Sequence, residues 1–519
     1  MTGFGSLCVF QFLLAFTILL SSACALITEI VAGRLIAPVF GMSLYSWTSI
    51  IAVVLAGLSV GHWIGGRLTR GVTSSSQQTK KIAISLFLSS ASSLLILLIL
   101  DQVPAVVRLM EMDVITAILM ASMVLFFLPS LFVGIVSPLA TKLAIDLAAD
   151  DEAGVVIGRM YALGAVGAIF GALLAGYFLI ASLGARLSVL LVAGVYFSLG
   201  CIFIMSRGRV HRSLLMAAVL LCAGLGSVVY LSGGLKSRCY VESTYFCIQI
   251  QDLQRGHNKV RLMALDHLVH SINDKEQAEL LHSPYVHFVD EYVEKRFGNK
   301  SVSAFFIGGG GFSLPRAWIA KYQGRAPLTI AEIDPEVTRV ARDMLWFDER
   351  GSNTKIIHDD ARFVLNRMAA TSKFDLIFGD AFHDISIPAH LVTREFNEVI
   401  ASHLTRQGIY VVNVVDSAVQ PRFLMSFVKT LRQSFTEIEI WFEPDPNQQS
   451  SRMTFIVVAA KTPIDDDMLI AERGFERSWW RWPSNRLEKV FASDRIPVLT
   501  DDLAPVDKLM RGTLLDGLS

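Results

Sequence analysis

The sequence predicts two unlike halves: a bundle of membrane-spanning helices followed by a soluble α/β domain. Three observations predict this. Hydrophobic residues make up 53% of the 519 and charged ones only 18%, with a mean hydropathy of +0.50. The apolar excess is concentrated before Leu235, and from Lys236 onward the composition is that of a soluble protein. From Val302, short apolar runs alternate with amphipathic stretches, the pattern of strands separated by helices.

A spanning helix needs roughly 20 mostly apolar residues to cross a hydrocarbon core about 30 Å thick. Seven stretches meet that length, near 6–28, 44–66, 82–100, 114–137, 160–182, 187–205 and 213–232. The first has no basic segment before it, so it reads as a retained helix rather than a secretory leader, despite Ala23-Cys24-Ala25. Gly57 and Gly61, and again Gly167 and Gly171, are spaced to let helix backbones approach closely. Glu29 and Arg34 flank the end of the first span and read as a structural ion pair or as charges reaching the interface.

The loops after spans two, four and six carry Arg67, Arg70, Lys80, Lys81, Lys142, Arg159, Arg207, Arg209 and Arg212. The alternate loops carry only Arg34, Arg108 and Arg186, so the first set is expected on the cytoplasmic side. Seven crossings then put the C-terminal domain outside, whereas a domain that uses a cytosolic metabolite belongs inside; the sequence leaves the side open. A cell-membrane, multi-pass location follows either way.

Net charge is zero and no long basic tract is present, which speaks against nucleic acid as a partner. The bilayer is the expected partner, and the chain is compatible with a homo-oligomer. Six cysteines are scattered with no CxxC or Cys/His cluster, so no metal site is expected. Cys8, Cys24, Cys201 and Cys222 read as packed small hydrophobes, and Cys239 and Cys247 as two ordinary thiols.

In the soluble half, 303–307 reads as a buried strand ending in Gly308-Gly309-Gly310-Gly311. A second strand, 328–333, ends at Glu332 and Asp334, and Pro335 starts a helix. A third, 355–358, precedes Asp359-Asp360-Ala361, and a fourth, 374–378, precedes Gly379-Asp380. Further strands are expected at 408–415, 438–442 and 454–459. Strands alternating with helices imply a parallel, Rossmann-like sheet, whose ligands bind at the carboxyl ends of the strands. The glycines and the carboxylates Glu332, Asp360 and Asp380 all fall at such ends. Glycine lets backbone approach a ligand closely. Glu332, 24 residues after Gly308, can accept hydrogen bonds from both ribose hydroxyls, and Asp360 can bind an adenine amino group. Read blandly, the same residues are helix caps and turns. The cluster Trp479-Trp480-Arg481-Trp482 fits either a membrane interface or packing within the domain.

Phe306-Ile307-Gly308-Gly309-Gly310-Gly311, Ala331-Glu332-Ile333-Asp334-Pro335, Asp359-Asp360-Ala361-Arg362 and Phe378-Gly379-Asp380 together resemble the spermidine synthase family, built on the S-adenosylmethionine-methyltransferase fold. Leu265-Asp266, His270-Ser271 and Ser283-Pro284-Tyr285 resemble its β-rich N-terminal segment, and Leu499-Thr500-Asp501-Asp502-Leu503-Ala504-Pro505-Val506 the tail of membrane-fused members. The residues from Glu29 to Leu35 and Gly65-Gly66-Arg67 are similar to those fused bacterial proteins as well. The implied organisation is a membrane domain over 1–235, a β-rich segment over 236–300 and a methyltransferase-like domain with its tail over 301–519.

The resemblance implies a membrane-bound aminopropyltransferase of polyamine biosynthesis. Decarboxylated S-adenosylmethionine, or S-adenosylmethionine itself, would be a co-substrate, with no permanently bound cofactor. It implies Gly308, Gly309, Gly310, Glu332, Asp360 and Ala361 around the adenosyl group and Asp380 as catalytic base toward the amine. The family's catalytic loop reads aspartate, two residues, aspartate, proline. Here Asp380-Ala381-Phe382-His383-Asp384 puts His383 at the second aspartate and Asp384 one place on. His270 and Phe246 stand where the family has glutamines, and Phe312 is fifth in the glycine loop. His270, His383 and Asp384 are the candidate substrate residues. Two alternatives stay open: a methyltransferase acting on a membrane-delivered substrate, and a transporter or sensor whose soluble domain only binds an adenosyl ligand.

Overall fold

The structure is a computed structural model. It describes all residues except 1, 71–73, 111, 149–151, 207–211, 256–257, 299, 383–385, 445–451, 463–465, 494 and 511–519. The chain forms two compact units, residues 1–247 and 248–519.

The first unit is helical: α1 (Thr2–Phe40), α2 (Leu44–Leu68), α3 (Ser75–Ile99), α4 (Val103–Met110), α5 (Val114–Asp146), α6 (Ala153–Leu174), α7 (Ile180–Met205) and α8 (Arg212–Leu231). A two-residue strand, β1 (Val241–Glu242), follows. Among the described residues, six helices are long and apolar enough to cross a membrane. The expected spans at 160–182 and 187–205 fall in one helical stretch of 53 residues, Ala153–Met205, which bends at Gly184 with φ +79°. At about 1.5 Å per residue that stretch is more than twice the hydrocarbon thickness, so it holds the length of two crossings.

The paired glycines lie at helix crossings. A Cβ on Gly61 would stand 2.2 Å from the Leu131 carbonyl oxygen of α5, and one on Gly171 would stand 2.2 Å from that of Ala23 in α1. The two ends of the unit differ in chemistry. At one, Lys81 Nζ donates to the Leu68 carbonyl, Gln78 Nε2 donates to Asp146 Oδ2 at 3.0 Å, and Lys142 pairs with Asp146. At the other, Arg186, 6% exposed, donates to Asp101 Oδ1 at 2.5 Å, to Asp101 Oδ2 at 2.9 Å and to the Gly234 carbonyl at 2.7 Å. Glu242 there accepts from the Ala185 amide, and Arg34 donates to the carbonyls of Ser243 and Tyr245 rather than pairing with Glu29. Cys239 and Cys247 are not two separate thiols: they form a disulfide, their Cα atoms 5.2 Å apart, within bridging range.

The second unit opens with an antiparallel meander of β2 (Cys247–Arg255), β3 (Asn258–Leu265) and β4 (Leu268–Asp274), followed by α9 (Pro284–Phe297). Then come β5 (Ala304–Ile307), α10 (Ser313–Lys321), β6 (Leu328–Ala331), α11 (Pro335–Met344), β7 (Thr354–Ile357), α12 (Ala361–Arg367) and β8 (Phe374–Gly379). The chain continues through α13 (Arg394–His403), β9 (Leu404–Ser417), α14 (Arg422–Leu431), β10 (Glu437–Phe442), β11 (Arg452–Ala460), β12 (Met468–Ile470) and β13 (Ser478–Arg481).

The main sheet has nine strands in the order β12-β13-β10-β11-β9-β8-β5-β6-β7. The five from β7 to β9 are parallel, as expected. The rest correct the expectation of an all-parallel sheet: β11 inserts antiparallel between β9 and β10, and β13 and β12 extend the edge antiparallel. Parallel pairing needs a crossover of about a dozen residues or more, and β10 ends at Phe442 while β11 already begins at Arg452. The tryptophan cluster forms this edge. Trp479 and Trp482 are buried, and Trp480 is half exposed.

Candidate active site

Every residue of β5 is buried, and the strand ends in the glycine turn. Gly308 has φ +91°, and a Cβ there would stand 2.8 Å from the Asp380 carbonyl oxygen, so only glycine lets the ends of β5 and β8 meet. The Gly308 amide donates to the Ala331 carbonyl at 2.9 Å and the Asp380 amide to the Ile307 carbonyl at 3.0 Å, locking the turn between β6 and β8. The Gly309 amide donates to Glu332 Oε2 at 2.8 Å, and the Asp334 amide to Glu332 Oε1 at 2.9 Å. Glu332 is 5% exposed. Burial pushes its pKa up to about 7, against the opposing pull of these amides.

The β-rich meander packs onto the same turn. The His270 carbonyl of β4 lies 3.8 Å from where a Gly310 Cβ would stand, and a Cβ on Gly311 would overlap Ser271 Oγ at 1.8 Å. Asn273 Nδ2 donates to the Gly311 carbonyl at 2.9 Å while its Oδ1 accepts from Ser313 Oγ at 2.5 Å. Phe312, with φ +55°, does not enter the cleft: it is fully buried and stacks on Phe347, ring centres 4.3 Å apart.

Asp380 follows β8 on the other side of the turn. Its Oδ2 accepts from the Tyr285 hydroxyl at 3.1 Å and its Oδ1 from Asn413 Nδ2 at 2.9 Å. Burial raises its pKa to about 7, with these two donors pulling the other way. Tyr285 is itself pushed well above the ordinary tyrosine range by burial and by Asp380, so it stays a donor. Sequence reasoning assigned no role to Tyr285 or Asn413. Asn413 was detectable as the one amide inside the apolar run 409–415; Val412 pairs with Gly379, so register places Asn413 beside Asp380.

The structure therefore gathers Gly308, Gly309, Gly310, Glu332, Asp380 and His270 at the carboxyl end of β5. Asp360 and Ala361 sit one strand beyond β6. Asp360 caps α12, its Oδ1 accepting from the Arg362 and Phe363 amides at 2.9 and 3.2 Å, and its Oδ2 lies 2.8 Å from His390 Nε2. Ala361 is buried as the first residue of α12. His270 is half-buried; burial and the nearby His267 lower its pKa to about 4, so the ring is neutral at pH 7. His383 and Asp384 lie outside the described residues. The tail reaches this region too: Arg362 pairs with both oxygens of Asp501, at 2.7 and 2.6 Å.

A sheet of this order, whose strand β5 closes in a glycine turn flanked by carboxylates from its two neighbours, defines an α/β domain of the methyltransferase type. Comparison with known proteins narrows the class: residues 280–467 match the spermine/spermidine synthase domain, and the C-terminal half of the chain carries that domain. Two relatives agree. A polyamine aminopropyltransferase of Vibrio vulnificus (strain CMCP6) is 32% identical over 143 residues, 27% of this chain and 46% of that protein. A probable polyamine aminopropyl transferase of Bifidobacterium longum (strain NCC 2705) is 30% identical over 112 residues, 22% of this chain and 24% of that protein. The chain thus spans less than half the length of either. Among solved structures, a probable spermidine synthase from Corynebacterium glutamicum ATCC 13032 has a TM-score of 0.40 at 17% identity, over 49% of this chain and 98% of its own.

Proposed function

We propose that the chain is a membrane-embedded transferase of the aminopropyltransferase type, taking decarboxylated S-adenosylmethionine as donor and a small amine as acceptor. The observation that carries this reading is the pair of carboxylates, buried Glu332 and half-buried Asp380, on either side of one glycine turn, both with pKa values near 7. Glu332, fixed by two amides, keeps lone pairs for the ribose hydroxyls. Asp380, oriented by Tyr285 and Asn413, takes the acceptor's proton. The amine nitrogen attacks the carbon bonded to the sulfonium sulfur, a nitrogen–carbon bond forms, the carbon–sulfur bond breaks, and methylthioadenosine leaves. For adenine to reach Asp360, the base amino group must share or replace His390.

Calorimetric titration of the full chain in detergent with methylthioadenosine and with decarboxylated S-adenosylmethionine tests the reading. Binding is expected, weakened roughly ten- to hundredfold by Glu332→Gln, since a hydrogen bond to a charged group contributes about 1.5–3 kcal/mol. Absence of binding by either ligand refutes it.

One observation favours methyl transfer instead. Arg452 lies near enough to His267, which neighbours His270, for its charge to depress the imidazole pKa. A cation there suits a donor that keeps its carboxylate, so tighter binding of S-adenosylmethionine than of the decarboxylated form would decide for that reading.

We also propose that the helical unit spans the membrane and that the end bearing the Cys239–Cys247 disulfide faces an oxidising, non-cytoplasmic compartment. Disulfides persist in such compartments. The basic loops around Lys81 and Lys142 lie at the opposite end, as the positive-inside rule requires.

A further inference from the structure

The C-terminal tail is docked beside the residues expected to hold the adenine. Leu499 is fully buried, its amide donating to Thr430 Oγ1 at 2.8 Å and its carbonyl accepting from the Arg394 amide at 2.8 Å. Val506 is buried as well. Between these anchors Thr500 and Leu503 bond each other's backbones at 3.0 Å, and the turn they close presents Asp501 to Arg362. We propose that Asp501 is a positioning residue of the donor site: it holds the Arg362 guanidinium off Asp360 and so leaves that carboxylate to the adenine amino group. The proposal rests on the adenosyl reading above.

Geometry is the first ground. Arg362 lies two residues after Asp360, and its amide already donates to Asp360 Oδ1 at 2.9 Å. Both terminal nitrogens of its guanidinium are committed to Asp501, one on each oxygen, at 2.7 and 2.6 Å, and Nη1 also donates to the His390 carbonyl at 2.9 Å. Two parallel bonds of this kind are the strongest form of arginine–carboxylate pair. The bond from Arg362 holds the Asp501 carboxyl down to about 2, so the clasp is charged at any working pH.

The second ground is what Arg362 meets once Asp501 is neutralised. Glu395 is engaged twice, its Oε2 by the Asp501 amide at 3.0 Å and its Oε1 by Arg394 at 2.7 Å. Asp359 pairs with Arg367 at 2.9 Å. Asp360 is left, on the same turn of chain as Arg362. Among the described residues its Oδ2 meets only the exposed ring of His390, at 2.8 Å. An uncharged amino group displaces a guanidinium paired with a carboxylate less readily than it displaces one imidazole.

Calorimetric titration of the full chain in detergent with methylthioadenosine and with its 6-oxo counterpart, methylthioinosine, tests the proposal. The 6-oxo base has no amino group to offer Asp360, so the ratio of the two affinities reports on that carboxylate. The unaltered chain is expected to prefer methylthioadenosine. Asp501→Asn is expected to weaken methylthioadenosine roughly tenfold or more, as for a lost hydrogen bond to a charged group, with little effect on methylthioinosine, so that the preference collapses. Arg362→Gln, alone or combined with Asp501→Asn, removes the intruding cation and is expected to keep the preference, with thermal melts checking that each chain stays folded. An unchanged preference in Asp501→Asn, equal weakening of both nucleosides, or no recovery in the double variant would overturn the proposal and leave the clasp as an anchor of the tail. An unaltered chain that binds neither nucleoside fails the adenosyl reading itself, a result read before any variant is made.

Discussion

Asp380 can accept a proton only when ionised, and burial holds its pKa near 7, so its pH behaviour is fixed by its surroundings. If Asp380 is the base proposed above, each unit of acidification below about pH 7 should remove another factor of ten in competent enzyme, and above it the rate should level off. A kcat/KM profile rising with unit slope to about pH 7 is the expected result, and Asp380→Asn should cost about 10²–10⁴-fold, the usual contribution of a general base. Stability runs the other way. The folded values of Glu332 and Asp380 lie above those of the unfolded chain, so the native state binds protons more tightly than the unfolded one. Thermal midpoints should therefore fall as pH rises from about 4.5 to 7 and then flatten, and Glu332→Gln should reduce that slope. Gly311 is the most constrained position of the turn. Gly311→Ala would drive a methyl group into Ser271 and part β4 from β5, so it should lower the melting temperature and abolish adenosyl binding together. The double variant Gly311→Ala/Ser271→Gly should restore part of both.

At the scale of elements, what could be read from the sequence followed strand chemistry. Buried parallel strands are continuous apolar runs ended by glycine or acid, and β5, β6 and β8 are such runs, so their ends and the residues closing them were visible. The antiparallel edge was not: β12 is three residues long and β13 is the tryptophan cluster, which carries no alternation of its own. The role of Asp360 was half visible. A carboxylate before a helix serves equally as ligand group and as cap, and the additional contact with His390, distant in sequence, arises only from the fold. In the helical unit the small-residue spacing marked true crossings, since Gly61 meets α5 and Gly171 meets α1 with no room for a side chain. Gly171→Leu should separate α1 from α6 and lower the detergent melting temperature, whereas the same change at Gly176, where a Cβ meets nothing within 4 Å, should leave it unchanged.

At the scale of the whole molecule, a helical N-terminal region followed by an α/β domain was legible in the sequence, but the cysteine pair needed three dimensions, because eight residues of separation allow either a loop or a bridge. That bridge, with the basic loops at the opposite end, leads to a prediction about sidedness. A reporter that matures only after export, fused after Ser519, should be active, and one that fluoresces only in the cytoplasm should be dark. The reverse pattern would place the soluble unit inside and leave the disulfide unformed in cells. Arg186 has a consequence for how such a chain is made. Its guanidinium is neutralised by Asp101, which leaves the ribosome 85 residues earlier, and also donates to the Gly234 carbonyl, which leaves 48 residues later. The acid is thus made before the base it holds and the carbonyl beyond α8 last, an order of synthesis in which Arg186 never emerges ahead of its carboxylate partner.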